Sequence, residues 1–219
     1  MTRGAALALG LFLAGCAATQ PPRDPLTAEQ RNDLGVAYFQ RGEPRRALAE
    51  FERAAVLRPG WARALVNVGD ARLAVDDLTG AIDAYQRAVA AAPDDPGAAN
   101  NLAWALLQDP ARWPEAEPII DGALAKRAEP RGYYLDTLGA LRLRQGDNQA
   151  ALGAFRAALA DAALRDRRSR ALVLEHAAEA LARLGDPSGA AHCRTLAETE
   201  RAAARPSDVS AVGGQGSVC

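Results

Sequence analysis

Five side chains of this chain belong to the types that most often carry chemistry, namely three cysteines and two histidines. His176 and His192 lie 16 residues apart, and Cys193 directly follows His192. Two metal ligands on one helix face need a spacing of three or four residues, so this pattern predicts no metal site. The sequence also has no glycine-rich phosphate loop and no paired-carboxylate motif. We therefore predict that the chain is not an enzyme and binds neither a cofactor nor a metal.

Cys16, the first of the three cysteines in the chain, closely follows an apolar run over residues 4–14. The run is shorter than the roughly 20 residues that a membrane-spanning helix needs. A basic residue at Arg3, a short apolar stretch and small residues at its end are typical of a secretory signal peptide. An ordinary secretory signal with an incidental cysteine is the alternative to a special role for Cys16.

The ending Leu-Ala-Gly-Cys, residues 13–16, resembles the lipobox of bacterial lipoproteins. That resemblance implies that residues 1–15 are a signal peptide and that the Cys16 thiol carries lipid. Incorporation of labelled palmitate would report this modification. A multiply acylated cysteine gives stable anchoring. Because Ala17 is not aspartate, the resemblance also implies an outer-membrane lipoprotein that faces the periplasm of the bacterial cell envelope.

The net charge and the other two cysteines limit which functions and covalent links the chain can have. The formal net charge is −1, which gives no electrostatic case for nucleic-acid binding. In an oxidising compartment two alternatives remain for Cys193 and Cys219. They form a disulfide, or Cys193 is half-buried and Cys219 is a free thiol in the tail; the position of Cys219 at the end of a tail favours the second.

The chain contains an internal repeat. In five blocks that begin at residues 28, 62, 96, 132 and 171, the eighth residue is small, and the twentieth and twenty-seventh are alanine once an extra residue in the third block is allowed. The eighth residues are Gly35, Gly69, Ala103, Gly139 and Ala178. Small residues at these places let paired helices approach closely, while larger residues such as Leu34 and Phe51 fill the space between them at helical spacing.

This pattern strongly resembles the tetratricopeptide repeat, a 34-residue helix–turn–helix unit. The resemblance implies an all-α fold, a right-handed α-solenoid of about five units. We predict a tether over residues 16–27, units near 28–61, 62–95, 96–131, 132–165 and 171–203, and a disordered tail over 204–219. Gly42, Gly146 and Gly185 are expected in left-handed turns, aspartates of the pairs 76–77 and 94–95 are expected to cap helices, and Arg194 fits a solvent-facing last helix.

In this family, partners bind a concave surface lined by positions 2, 5, 9, 12 and 13 of each first helix. Carrying these positions over, we predict a partner-binding groove for a protein or peptide segment. Its residues are Asn32, Val36, Arg63, Asp70, Asn100, Trp104, Tyr133 and Asp136. The same positions also include Phe39, Val66, Leu73, Leu107, Leu143 and Arg144.

Trp104 has two interpretations, an exposed anchor in the groove or a core residue between units. The only lysine, Lys126, lies outside these positions. The clamp with which some family members hold a carboxylate is therefore not expected.

The functional hypothesis from sequence is a lipid-anchored scaffold that binds protein partners. The lipoproteins that this chain resembles include pilotins, which help assemble pilus and secretion systems. The alternative is an adaptor for peptidoglycan hydrolases or envelope proteases.

Overall fold

The computed structural model describes residues 25–126 and 131–204. These residues form ten α-helices and no strand: α1 (Ala28–Gln40), α2 (Pro44–Leu57), α3 (Ala62–Leu73), α4 (Leu78–Ala91), α5 (Pro96–Gln108), α6 (Ala116–Ala125), α7 (Arg131–Gln145), α8 (Asn148–Ala160), α9 (Arg167–Arg183) and α10 (Pro187–Ala203). A short 3-10 turn, Trp113–Glu115, precedes α6. The predicted signal peptide, Cys16, and the tail with Cys219 lie outside the described residues. No helix in the described ranges has the length and apolarity that crossing a membrane requires.

Consecutive helices pair into five hairpins, α1 with α2 through to α9 with α10. Each first helix also contacts the first helix of the next unit, from α1–α3 to α7–α9. Every unit therefore buries its apolar face against its neighbours, as a solenoid requires. The predicted all-α solenoid of tetratricopeptide type is confirmed.

The repeated alanines form the seams between helices. All ten alanines at the twentieth and twenty-seventh positions are at most 2% exposed. They are Ala47, Ala54, Ala81, Ala88, Ala116, Ala123, Ala151, Ala158, Ala190 and Ala197. A larger side chain at such a seam would force the helices apart, which explains why alanine recurs there.

The glycine at the eighth position faces an aromatic ring of the same hairpin. A Cβ added to Gly69 would lie 2.4 Å from the Tyr85 ring, and one added to Gly139 would lie 2.2 Å from the Phe155 ring. Both rings are almost fully buried. Each ring therefore fills the volume that the missing side chain leaves, because protein interiors are packed without gaps.

The turns between paired helices use the left-handed region. Gly42, Gly146 and Gly185 have φ of +74°, +81° and +81°, which confirms the prediction for these glycines. In the second unit the equivalent residue is Asp76, which adopts φ of +64°. The next residue, Asp77, then caps α4 by accepting a hydrogen bond from the Gly80 amide.

Other aspartates begin the later helices in the same way. The side chain of Asp95 accepts hydrogen bonds from the amides of Gly97 and Ala98 at the start of α5. The side chains of Asp147, Asp166 and Asp186 cap α8, α9 and α10. Asp77 and Asp95 confirm that the paired aspartates supply helix caps. Since Asp166 caps α9, that helix starts four residues before the fifth sequence block.

A repeated arginine joins neighbouring units. Arg144 donates from Nε to the carbonyl oxygen of Leu107 at 3.0 Å, and Arg183 donates to that of Leu143 at 3.0 Å. Each acceptor lies in the last turn of the preceding unit's first helix, where carbonyls lack helical partners. Arg144, at one of the family's groove positions, is thus directed to the preceding unit.

Candidate functional site

Three successive units line one pocket of about 510 Å³. Its walls come from the first helices of those units, α5, α7 and α9, and one residue comes from α10. The lining residues are Asn100, Trp104, Tyr133, Asp136, Thr137, Arg168, Ser169, Leu172, Val173, Glu175 and Arg201. A volume of this size is within the range of sites that hold a small ligand or a few side chains.

Four of the eight residues predicted to form the groove meet in this pocket. Asn100 and Trp104 occupy the fifth and ninth positions of the third unit, while Tyr133 and Asp136 occupy the second and fifth positions of the fourth. Side chains at family positions 2, 5 and 9 thus line the same pocket, because consecutive first helices pack side by side. That these residues bind a partner stays a prediction.

The other four predicted residues lie in the first two units and do not reach the pocket. Asn32 is 4% exposed, and its Oδ1 accepts a hydrogen bond from Asn67 Nδ2 at 2.7 Å. This bond joins α1 to α3, so the Asn32 side chain links two units. A role for Asn32 in partner binding stays a prediction.

Asp70 likewise has a partner within its own unit. Its Oδ1 accepts a hydrogen bond from the Tyr85 hydroxyl at 2.6 Å. Burial raises the pKa of Asp70 to about 6, although the bond from Tyr85 opposes that shift. Val36 is partly buried and packs against the hydrophobic cluster that contains Phe51 and Val68. Arg63 is exposed on α3.

Trp104 combines its two interpretations. The side chain is partly buried and packs against the hydrophobic cluster that contains Leu102 and Leu106. It also lines the pocket, and its ring centroid lies 5.6 Å from that of His176. The indole therefore contacts the hydrophobic core and also forms part of the pocket wall.

His176 was not predicted as a site residue, and it lies beside the pocket. Its Nδ1 lies 2.8 Å from Asp136 Oδ1, and both side chains are largely buried. Burial by itself lowers the pKa of His176, but the hydrogen bond and charge of Asp136, with Glu179 and Glu175 nearby, raise it above its ordinary value overall. The imidazole is thus held between Asp136 and the rings of Trp104 and Phe155.

The other ionisable side chains of the pocket differ in the partners that they have. Glu175 forms an ion pair with Arg201 of α10. Arg168 lines the pocket, and no ion pair or hydrogen bond of its guanidinium occurs within residues 25–126 and 131–204. Tyr133 has a pKa raised by burial, while its hydrogen bond with Ser169 acts in the opposite direction.

At three of the four junctions between units, polar side chains occupy the fifth position of one first helix and the sixth position of the next; at the other junction the fifth position is Val66. Asn32 with Asn67 and Asp136 with His176 are two such pairs. Between the third and fourth units the same positions hold Asn100 and Thr137. Asn100 Oδ1 is buried and accepts no hydrogen bond from a described residue, because the Thr137 hydroxyl donates to the Tyr133 carbonyl instead.

Some pocket residues missed by sequence reasoning follow the same positional rule. Leu172 and Glu175 occupy the second and fifth positions of the fifth unit, so extending the rule to that degenerate unit finds them. Arg168 precedes the fifth block and Arg201 belongs to a second helix. No repeat position points to these two residues; only the packing of α9 and α10 brings them to the pocket.

The pocket lining combines aromatic, aliphatic and charged side chains. In the described part of the chain no three histidine, cysteine, aspartate or glutamate side chains are grouped as metal ligands. Cys193 is half-buried and unpaired there, and burial raises the pKa of its thiol. Aromatic faces, paired carboxylates and one free guanidinium can hold a partner by packing and charge.

These features define a tetratricopeptide-type solenoid with a pocket between the first helices of its last three units. The sequence model of the tetratricopeptide repeat matches residues 32–96 and 69–133. No enzyme family is indicated, and solenoids of this type are typically non-catalytic scaffolds for protein interaction. No curated protein is similar enough in sequence to be matched to the chain.

Solved structures share the fold. The chain superposes on the structure titled "Crystal structure of APC/C hetero-tetramer Cut9-Hcn1" with a TM-score of 0.75 and 17% identity over 82% of this chain, and it spans only 35% of that longer protein. A structure of PilW, titled a widely conserved type IV pilus biogenesis factor, gives a TM-score of 0.69 with 19% identity over 83% of this chain and 80% of PilW. Pseudomonas aeruginosa pilF gives 0.65 with 21% identity over 79% and 76% of the two chains.

Proposed function

We propose that this chain is a lipid-anchored scaffold, facing the periplasm from the outer membrane, that binds a protein partner during assembly of an envelope machine such as a pilus or secretion system. The observation that carries the proposal is the pocket in which Trp104 and Tyr133, from two successive units, lie beside charged side chains of α9 and α10. Aromatic residues and arginine are the side chains that most often dominate protein–protein binding energy.

Two further observations support the cellular role. The lipobox-like residues 13–16 favour a lipid anchor at Cys16. The fold and length are similar to those of PilW, whose title describes a pilus biogenesis factor, and of pilF. Both similarities cover more than three quarters of each chain.

The binding role is tested by site-directed photo-crosslinking in cells. A photoreactive phenylalanine analogue at Leu172, which lines the pocket, should crosslink one envelope protein in high yield. The same analogue at Val56, which is 77% exposed on α2, is the matched control. Mass spectrometry of the adduct identifies the partner; a pilus or secretion component supports the proposal, whereas a cell-wall hydrolase or protease supports the adaptor alternative. Equal crosslinking from both positions would show that the pocket is not the binding site.

The anchor is tested separately by Cys16→Ser. The variant should leave the membrane fraction or accumulate as an uncut precursor, and it should lose labelled palmitate. Ala17→Ser, which keeps the cysteine, serves as the control and should remain lipidated. Equal palmitate labelling of the wild type and Cys16→Ser would contradict the anchor.

A further inference from the structure

The charged side chains around the pocket differ in whether they have a partner. Asp136 is 2.8 Å from His176, and Glu175 pairs with Arg201, so both carboxylates of the pocket already face a basic group. Arg168 lines the same pocket, and within the described ranges its guanidinium has no carboxylate partner. Arg168 is therefore the charged side chain of the pocket that stays available to pair with an acidic group that enters it.

Neighbouring acidic groups are engaged elsewhere. Glu200 holds both Arg167 and Arg170, at 3.0 and 3.3 Å. The Asp166 carboxylate accepts hydrogen bonds from the backbone amides of Arg168 and Ser169 as the cap of α9. These contacts fix the start of α9, and they leave the Arg168 side chain directed at the pocket without neutralising it.

An apolar surface lies next to this charge. Trp104 and Tyr133 supply aromatic faces, and Leu172 and Val173 supply aliphatic ones. A guanidinium binds a carboxylate through two parallel hydrogen bonds, while an indole gives a large apolar side chain a rigid surface. Together these features suit a segment that carries both an acidic and an apolar side chain.

We infer, on the basis of the proposed function, that the pocket takes an extended segment of a protein partner in which an Asp or Glu side chain pairs with Arg168 and a large apolar side chain packs on Trp104. The apolar contact supplies affinity, and the arginine selects acidic segments over neutral or basic ones. A salt-sensitive contribution to binding follows, since a rim charge is screened by ions.

The inference is tested with a phage-displayed library of random dodecapeptides selected on the purified full-length chain. We expect wild type to enrich peptides with Asp or Glu near an aromatic or aliphatic residue. Fluorescence titration of the consensus peptide should show about tenfold weaker binding to Arg168→Gln, the scale of a lost hydrogen bond to a charged group. Arg156→Gln, which removes the same charge from the exposed face of α8, should bind within twofold of wild type.

Trp104→Ala separates the inference from the function on which it rests. If a Trp104→Ala variant with the circular-dichroism spectrum of the folded wild type binds more weakly and Arg168→Gln does not, the acidic specificity is wrong while the pocket remains the site. If neither substitution changes the affinity, the pocket is not the binding site. Selection of basic peptides by wild type would also overturn the inference.

The chain's own residues 205–219, which follow α10, are tested as a competing occupant. A synthetic peptide of that sequence should not displace the consensus peptide, and a chain ending at Ala204 should bind the consensus peptide as wild type does. Displacement by the tail peptide, together with tighter binding by the shortened chain, would assign the pocket to the tail and overturn the partner assignment.

Discussion

Asp136 Oδ1 lies 2.8 Å from His176 Nδ1 and joins the first helices of the fourth and fifth units beneath the pocket. The same two repeat positions carry the 2.7 Å bond from Asn67 to Asn32 between the first and second units. A polar link between first helices therefore recurs along the solenoid, and at the pocket that link includes an ionisable histidine. We expect protonation of His176 to couple the packing of α9 on α7 to pH, because the pKa of His176 is raised beside Asp136.

Stability should fall as the pH rises through the titration of His176. The folded-state pKa of His176 is raised by Asp136 above the ordinary value of 6.5, so the protonated ring stabilises the fold fully below pH 6.5 and this contribution is lost above the folded pKa. Urea unfolding from pH 5.5 to 8.5 should show wild type more stable than His176→Gln at low pH, with a smaller difference at high pH.

The exposed His192 provides the control for that experiment. His192→Gln should leave the unfolding free energy close to that of wild type, because the substitution breaks no buried contact. A difference between wild type and His176→Gln that does not depend on pH would show that the pair acts only through packing.

Gly139→Ala should destabilise the fourth unit. The new methyl group would lie 2.2 Å from the buried Phe155 ring, and overpacking a core costs about 1–3 kcal/mol. Gly153→Ala is the control, because nothing lies within 4 Å of its Cβ position on the exposed face of α8. Replacing glycine within a helix by alanine stabilises it by roughly 0.5–1 kcal/mol. Thermal melting should thus move in opposite directions, and a rise for both variants would contradict the close approach of α7 and α8.

Asp76→Gly should stabilise the protein. Asp76 has a φ of +64°, a conformation that costs residues with a side chain roughly 1–2 kcal/mol, and three other units have glycine there. The extra freedom of glycine in the unfolded chain offsets part of this gain, so the expected net gain is about 0.5–1 kcal/mol. The next residue gives the opposite sign, since Asp77→Ala removes the cap of α4 and should cost about 1 kcal/mol. Chemical denaturation of both variants measures the effects, and a loss of stability in Asp76→Gly would be the contrary result.

Trp104→Ala should lower both stability and binding, because the indole packs against the core and also lines the pocket. Complete burial would make truncation cost about 3–5 kcal/mol, so a smaller loss is expected for a partly buried ring. Tyr133→Phe keeps the ring and removes only the hydroxyl, so it should fold normally. Circular-dichroism melting, measured together with binding of the crosslinked partner, separates the two effects. Normal binding by a folded Trp104→Ala variant would exclude the indole as an anchor.

Much of the fold follows from local sequence. The alanines that recur at two positions are all buried at helix seams, and Gly42, Gly146 and Gly185 take the left-handed turns that their spacing indicates. These features can be predicted from the sequence because every unit packs two helices together under the same local constraints. The fifth unit departs from the repeat, since α9 begins at Arg167 under the cap of Asp166 and not at the start of the repeated block.

The repeat positions predict only part of the candidate site. Family positions brought Asn100, Trp104, Tyr133 and Asp136 to one pocket, but they gave equal weight to Asn32, which is buried against Asn67. A repeat position fixes which face of a helix a side chain occupies. It does not fix whether the neighbouring unit covers that face, because this depends on the side chain that the next unit supplies.

The helix–turn–helix period, the small residues at the seams and the resulting solenoid can be predicted from the sequence, because they depend on contacts within one unit and its nearest neighbour. The contacts of His176 with Asp136 and Trp104, and the approach of Arg168 and Arg201 to the pocket from outside the repeat positions, appear only in the folded chain. The pocket is formed where α5, α7, α9 and α10 meet, so its charges come from residues far apart in the chain, and no local spacing encodes their proximity.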